Sequence, residues 1–397
     1  MVRHVHRWTL VFAVIATLLM ASCTPETGSE TNHDQQDPPQ QDPPPDEFRW
    51  AMVSAGSLHT CGLQEDSTLW CWGNNGNGQL GLGDTDSRHT PKQVGSDDDW
   101  TVVATGGLHT CGLRDDATLW CWGRGRYGRL GLGDEDNRHT PQQVGGDTKW
   151  AAVAPGRTHT CGVRDNGTLW CWGNGFFGKL GLGDGNDPRL TPEQVGSDGD
   201  WSYVFAGMEY TCGVRDDATL WCWGYGTEDP HYTGPGVGMA NTPVQIESIE
   251  DWRAVTAGST HTCGIQDDAT LWCWGRGEHG ALGQGDEEDN RSPQQVGSDT
   301  DWAAISAGSD HACGVRDDST LWCWGRGEHG ILGLGNEENR LLPQSVGSDT
   351  DWTAISAGHS HTCGLKDDAT LWCWGNGRDG RLGLGDTDSR LTPTQTN

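Results

Sequence analysis

Cysteine is the residue whose spacing says most about chemistry in this chain. Fourteen of its 15 cysteines form seven Cys-x9-Cys pairs: Cys61 and Cys71, Cys111 and Cys121, Cys161 and Cys171, Cys212 and Cys222, Cys263 and Cys273, Cys313 and Cys323, and Cys363 and Cys373. Zinc needs clustered ligands such as CxxC, which a nine-residue gap does not provide. In an exported chain, paired thiols at regular spacing read as a disulfide framework. Each pair is symmetric about a turn, Asp66 in the first copy, so a hairpin would set Cys61 opposite Cys71, Gly62 opposite Trp70 and Leu63 opposite Leu69. Seven such bonds are expected, each worth about 2–3 kcal/mol by loop-closure entropy.

The second candidate chemistry is histidine. His59, His109, His159, His261, His311 and His361 recur in phase, with Tyr210 in the fourth place. A metal or general-base role would need several of them at one point, whereas residues repeated about 50 positions apart spread out over equivalent units. Their expected role is to satisfy local backbone groups. The acidic turns, such as Asp84-Thr85-Asp86-Ser87, lack the glycine and the distal glutamate of a dedicated calcium loop. Arg88, Arg138, Arg189, Arg291, Arg340 and Arg390 follow them, which points to a repeated local ion pair. No P-loop, nucleophile elbow or HExxH stands out, so neither catalysis, a metal nor a cofactor is expected.

The elements that must position these residues come from a repeat. The unit runs Trp50-x-x-Val53-x-x-Gly56-x-x-His59-Thr60-Cys61-Gly62-Leu63, Thr68-Leu69-Trp70-Cys71-Trp72-Gly73, Leu80-Gly81-Leu82-Gly83 and Thr90-Pro91-x-x-Val94, in seven copies. Short strands punctuated by glycine, with tryptophan for bulk, suit an all-β, seven-bladed β-propeller of four-stranded blades. These motifs resemble the regulator-of-chromosome-condensation repeat over about residues 50–396, and that resemblance implies the same fold. The chain ends on Thr392-Pro393-Thr394-Gln395-Thr396, with Thr396 in the valine position. Pairing of this C-terminal strand beside the Trp50 strand is the expected closure, since it would remove an open edge. The Gly62–Trp70 pairing should let the Trp70 indole lie across the glycine. The resemblance extends to a Trp-rich plant ultraviolet sensor, but at its Gly-Trp-Arg-His-Thr motif this chain has Gly56-Ser57-Leu58-His59-Thr60. Light sensing is therefore not carried over, nor is guanine-nucleotide exchange.

Residues 1–22 read as a lipoprotein signal peptide, with Arg3 and Arg7 before an apolar run too short to span a bilayer comfortably. It ends in Leu19-Met20-Ala21-Ser22-Cys23, which resembles a bacterial lipobox and implies lipidation of Cys23. Residues 23–49 are a disordered Pro/Gln/Asp-rich linker, a stalk reaching up to about 70 Å, and 50–397 are the propeller. The expected location is exported, at the outer membrane or cell surface, with membrane contact only through the lipid. The formal net charge is −30, which repels phosphate backbones, so no nucleic-acid partner is expected.

Departures from the repeat are where an individual function would sit. Tyr127, Phe176, Phe177 and Tyr225 occupy the Trp-Gly-x-Gly loop region, and the fourth copy replaces Leu-Gly-Leu-Gly by a segment carrying His231 and Tyr232. Aromatics on adjacent loops of one rim are what binding hot spots use. The sequence thus predicts a monomeric, non-catalytic scaffold that binds a protein or glycan partner through Tyr127, Phe176, Phe177, Tyr225, His231 and Tyr232. The alternatives are a secreted enzyme with a site built from loops at the propeller mouth, and a propeller-type protein inhibitor.

Overall fold

The computed structural model describes residues 48–146, 149–183, 187–225, 240–246 and 251–396. Every repeat folds into one antiparallel four-stranded sheet, and there are seven such blades. In the first, the strands are Trp50–Ala55, His59–Gln64, Leu69–Gly73 and Arg88–Gln93. The hairpin register matches the symmetry of the cysteines: Cys61 faces Cys71, Gly62 faces Trp70 and Leu63 faces Leu69. All seven intra-blade disulfides form, with Cα atoms 4.0–4.1 Å apart and the cysteines fully buried. The connecting turn puts its last residue in the left-handed region. Gly167 serves there once, and Ser67, Ala117, Ala218, Ala269, Ser319 and Ala369 adopt the same conformation at φ of 61–65°. An Asx turn supports it, as where Thr68 N and Oγ1 both donate to Asp66 Oδ1 at 3.0 and 2.7 Å.

Tryptophan fills the sheets. Trp72 is fully buried, and its ring meets that of Trp50 edge-on at 5.5 Å; the equivalent rings lie 5.5–5.9 Å apart in every blade, edge-on in all but the fifth, where they are tilted. Gly62 faces Trp70 in register, but the ring lying across it is that of Trp50: an added Cβ would stand 2.8 Å from Trp50 Cζ3. The Trp70 class, on the third strand, stays half-buried. In the second blade Arg114 sits 4.7 Å from the Trp100 ring and 4.3 Å from Trp120, with its charge returned by Asp97 at 2.5 Å.

Closure differs from the sequence expectation. The last strand, Arg390–Thr396, pairs within the seventh blade against Leu371–Gly375, while Trp50–Ala55 pairs only with His59–Gln64. The reason is that each repeat already holds all four strands, so the Trp50 strand needs no partner from the end of the chain. Thr396 does take the valine position, buried and opposite Leu371. The seam closes blade against blade instead. Trp50 N donates to Ala369 O at 2.9 Å, and His359 N donates to Gly56 O at 3.2 Å. This second bond belongs to a neck of glycines around the axis. A Cβ on Gly358 would lie 2.5 Å from Gly56 O, and one on Gly106 2.6 Å from Gly156 O. Only glycine lets the corners approach so closely.

Candidate functional site

The second strand opens at the rim with a histidine in six of the seven blades, and the structure gives that residue a partner the sequence reading did not name. His59 Nε2 lies 2.8 Å from Thr110 Oγ1 of the next blade. His109 meets Thr160 in the same way, His159 meets Thr211, His311 meets Thr362, and His361 meets Thr60 across the seam. Each threonine hydroxyl in turn donates to a loop carbonyl of the preceding blade, such as Thr110 to Gln79 O at 2.8 Å. Trp122 Nε1 donates to that same oxygen at 3.0 Å. Because the hydroxyl proton is committed there, the imidazole must be the Nε2–H tautomer, donating to the threonine. Burial pushes these histidines far below their ordinary range, with His59 and His311 lowered to about 3 and His261 to about 4. They are neutral clasps between blades, not bases or ligands. Among the described residues no group of three or more His, Cys, Asp or Glu could hold a metal.

The fourth and sixth blades break the pattern. Tyr210 replaces histidine, and its hydroxyl donates to His261 O at 2.7 Å. At position 312 alanine stands where the other copies have threonine, so His261 Nε2 is buried without a partner.

Among the described residues the acidic turns hold the expected ion pair in three blades, Asp84–Arg88, Asp134–Arg138 and Asp386–Arg390, each at 2.6 Å. Arg340 reaches Asn336 and pairs with Glu338 at 3.0 Å, and Arg189 also pairs with Glu193 at 2.8 Å. Arg291 does not take the equivalent place, because Asn290 holds the register opposite Gly275.

Above the clasp, a tight 3-10 turn carries the variable rim residues. Its middle residue is left-handed: Tyr127 and Phe177 at φ 66°, His279 at 62°, His329 and Asp379 at 61°. The geometry links the aromatics of three consecutive blades. Tyr127 meets Phe176 at 6.4 Å between ring centroids, and Phe177 meets Tyr225 at 4.7 Å. Phe176 and Phe177 are 46% and 40% exposed, unusual for phenylalanine, and Tyr127 and Tyr225 are half-buried. His231, Tyr232 and Cys23 lie outside the described residues. On the inner side of this rim a funnel of about 650 Å³ opens on the axis, lined by the glycine corners together with Arg124, Arg126, Tyr127, Arg129 and Arg157. The sequence reading missed these arginines, because nothing in the repeat marks them as neighbours of an opening.

Comparison with known proteins agrees with this architecture. The regulator of chromosome condensation (RCC1) repeat matches residues 66–113, 116–163, 166–214, 268–315, 318–365 and 368–397. The chain belongs to the RCC1 repeat family. The unmatched stretch falls across the fourth blade and its replaced loop. Among similar proteins, the Arabidopsis thaliana ultraviolet-B receptor UVR8 is 33% identical over 92 residues, 22% of this chain and 20% of that protein. Human HERC6 is 29% identical over 86 residues, 21% of this chain and 8% of that protein. The chain thus spans a fifth or less of either relative. The fold of Prp20p from Saccharomyces cerevisiae superposes with a TM-score of 0.75 at 20% identity, covering 84% of this chain and 87% of that one.

Proposed function

We propose that this chain is an exported, lipid-anchored RCC1-repeat scaffold that captures a protein partner through the rim of its second to fourth blades. The observation that carries this reading is the run of rings from Tyr127 through Phe176 and Phe177 to Tyr225, with both phenylalanines substantially exposed. Exposed aromatic clusters on an otherwise polar surface mark interfaces. Prp20p, of the same fold, is described by its binding to Gsp1p and histones, which supports partner binding as a use of this architecture. Seven disulfides call for an oxidising compartment. That supports reading residues 1–22 as a signal peptide, Cys23 as the lipidated residue, 23–49 as a stalk and 50–397 as the binding domain. Five of the six ring histidines are occupied as inter-blade clasps, which leaves His359 as the histidine that lines the mouth.

Two measurements test this. Replacing Phe176, Phe177 and Tyr232 by Ser should leave the melting temperature within a few degrees while partner capture falls at least about tenfold. Unchanged capture sinks the rim assignment. Metabolic labelling with a fatty-acid analogue should mark the wild-type chain and not Cys23→Ser, which should leave the membrane fraction. Identical fractionation of the two would rule out the anchor.

A further inference from the structure

Arginine in this acidic chain is ordinarily neutralised. Arg88, Arg114, Arg215, Arg316 and Arg390 each hold a carboxylate at 2.5–2.7 Å. At the funnel mouth four arginines without such a partner are gathered at one opening. Arg124, Arg126, Arg129 and Arg157 all line it, and none has an ion-pair partner among the described residues, while the carboxylate in the lining, Glu209, is taken by Lys179. Arg126 and Arg157 are exposed, whereas Arg129 is only 2% exposed. Its Nε and Nη1 donate to Arg126 O and Arg157 O at 3.0 and 2.9 Å, leaving Nη2 without a hydrogen-bond acceptor among the described residues.

The repeat itself supplies the control. At the position equivalent to Arg129, the third blade has Lys179 and the seventh Arg381, both buried. Lys179 is answered by Glu209 on the next blade's corner, and Arg381 by Asp379 on its own loop tip at 3.4 Å. Where Lys179 finds Glu209, Arg129 finds Thr158, and where Arg381 finds Asp379, Arg129 finds Tyr127. Burying a cation without a counter-charge is costly. Burial, followed by repulsion from Arg124, lowers Arg129 to about 10. A site that gathers four uncompensated guanidinium groups is built to receive negative charge.

We propose that this mouth is a carboxylate-binding site that takes an acidic loop of the partner protein, with Arg129 at its floor and Arg124, Arg126 and Arg157 around it. The inference rests on the rim being a protein-binding surface and names the chemistry of what it binds. Guanidinium forks suit carboxylates bidentately. A single acidic loop can enter the funnel, whereas a long polyanion such as a sulfated glycan would have to cross a surface that bears the chain's −30 net charge. Tyr127, with the Arg126 guanidinium 4.6 Å from its ring, supplies an apolar wall between this site and Phe176.

The test uses the full mature chain and a blocked, fluorescein-labelled hexaglutamate peptide, with hexalysine and a sulfated oligosaccharide as comparison probes. Hexaglutamate should bind saturably at about 50 mM salt and weaken at least about tenfold by about 300 mM, as screened ion pairs do. Arg126→Gln with Arg157→Gln should cost at least about tenfold without moving the melting temperature, because both side chains are exposed. Arg129→Gln should do the same, and if it fails to fold, the exposed pair still decides. Phe176→Ser with Phe177→Ser should leave hexaglutamate binding intact, because the probe carries no apolar group. Loss of the aromatic reading alone is thereby separated from loss of this one. The proposal is overturned by the absence of saturable hexaglutamate binding, by binding indifferent to the arginine substitutions, or by binding of the oligosaccharide in preference to the peptide.

Discussion

The clasp histidine and the rim-loop tip recur from blade to blade on the same end of the propeller, yet they are built under opposite constraints. The clasp is histidine in six blades and buried in all of them. It reaches across to the next blade, so a change there disturbs two blades. The tip is Asn77, Tyr127, Phe177, His279, His329 or Asp379, a different choice in almost every copy. In five of these copies it projects from a left-handed turn, and its contacts reach only neighbouring loop residues, such as Phe177 to Tyr225 and Asp379 to Arg381. Uniform positions hold the ring shut, and the free ones carry whatever distinguishes one part of the rim from another.

Acid should break the clasp side of this comparison most severely. The six buried imidazoles are neutral in the fold and protonate only well below the ordinary value of 6.5, whereas in the unfolded chain they protonate near it. Their contribution is therefore complete above pH 6.5 and is lost as pH falls below it, toward about 3–4 for His59, His261 and His311. Each costs about 1.4 kcal/mol per pH unit within that window. Urea midpoints at pH 7, 6 and 5 should drop steeply, and a flat profile would show that the ring does not stay neutral and buried. Thr110→Val should be the next largest effect, about 1–3 kcal/mol, because it strands a buried imidazole N–H and leaves Gln79 O with one donor fewer. Ala312→Thr tests the same clasp by addition. It gives His261 the hydroxyl it lacks and should stabilise the fold by on the order of 1 kcal/mol in chemical denaturation. At the tip the sign reverses: Phe177→Gly removes a bulky residue from φ 66° and should raise stability by up to about 1 kcal/mol while weakening partner capture. Destabilisation by that change would mean that the ring packs as core.

The features legible in the sequence were those carried within one repeat. The Cys61–Cys71 register, the turn ending at Ser67, and Thr396 standing in for valine all follow from residues a few positions apart. What escaped was relational. The partner of His59 lies 51 residues away, although the His-Thr dipeptide in most copies was a usable signal. The ring over Gly62 comes from Trp50, on the strand outside the hairpin from which that contact was inferred. The cationic mouth was hidden because Arg157 joins Arg124, Arg126 and Arg129 only once two blades are set side by side. The closure was misjudged by treating the Trp50 strand as incomplete, when the unit from Trp50 to Val94 already holds all four strands.

That completeness has an evolutionary and engineering consequence. With every sheet finished inside its own stretch of chain, the junction between the seventh and first blades is chemically like any other: Trp50 N meets Ala369 O there as Trp100 N meets Ser67 O one blade on. The order of the seven units is cyclic, and where it starts is a convention of the gene. A circular permutant opened between Val94 and Trp100, with Thr396 joined to Trp50 through a copy of residues 95–99, should assemble the same ring. Whole units could likewise be duplicated or lost by recombination without leaving half a sheet behind.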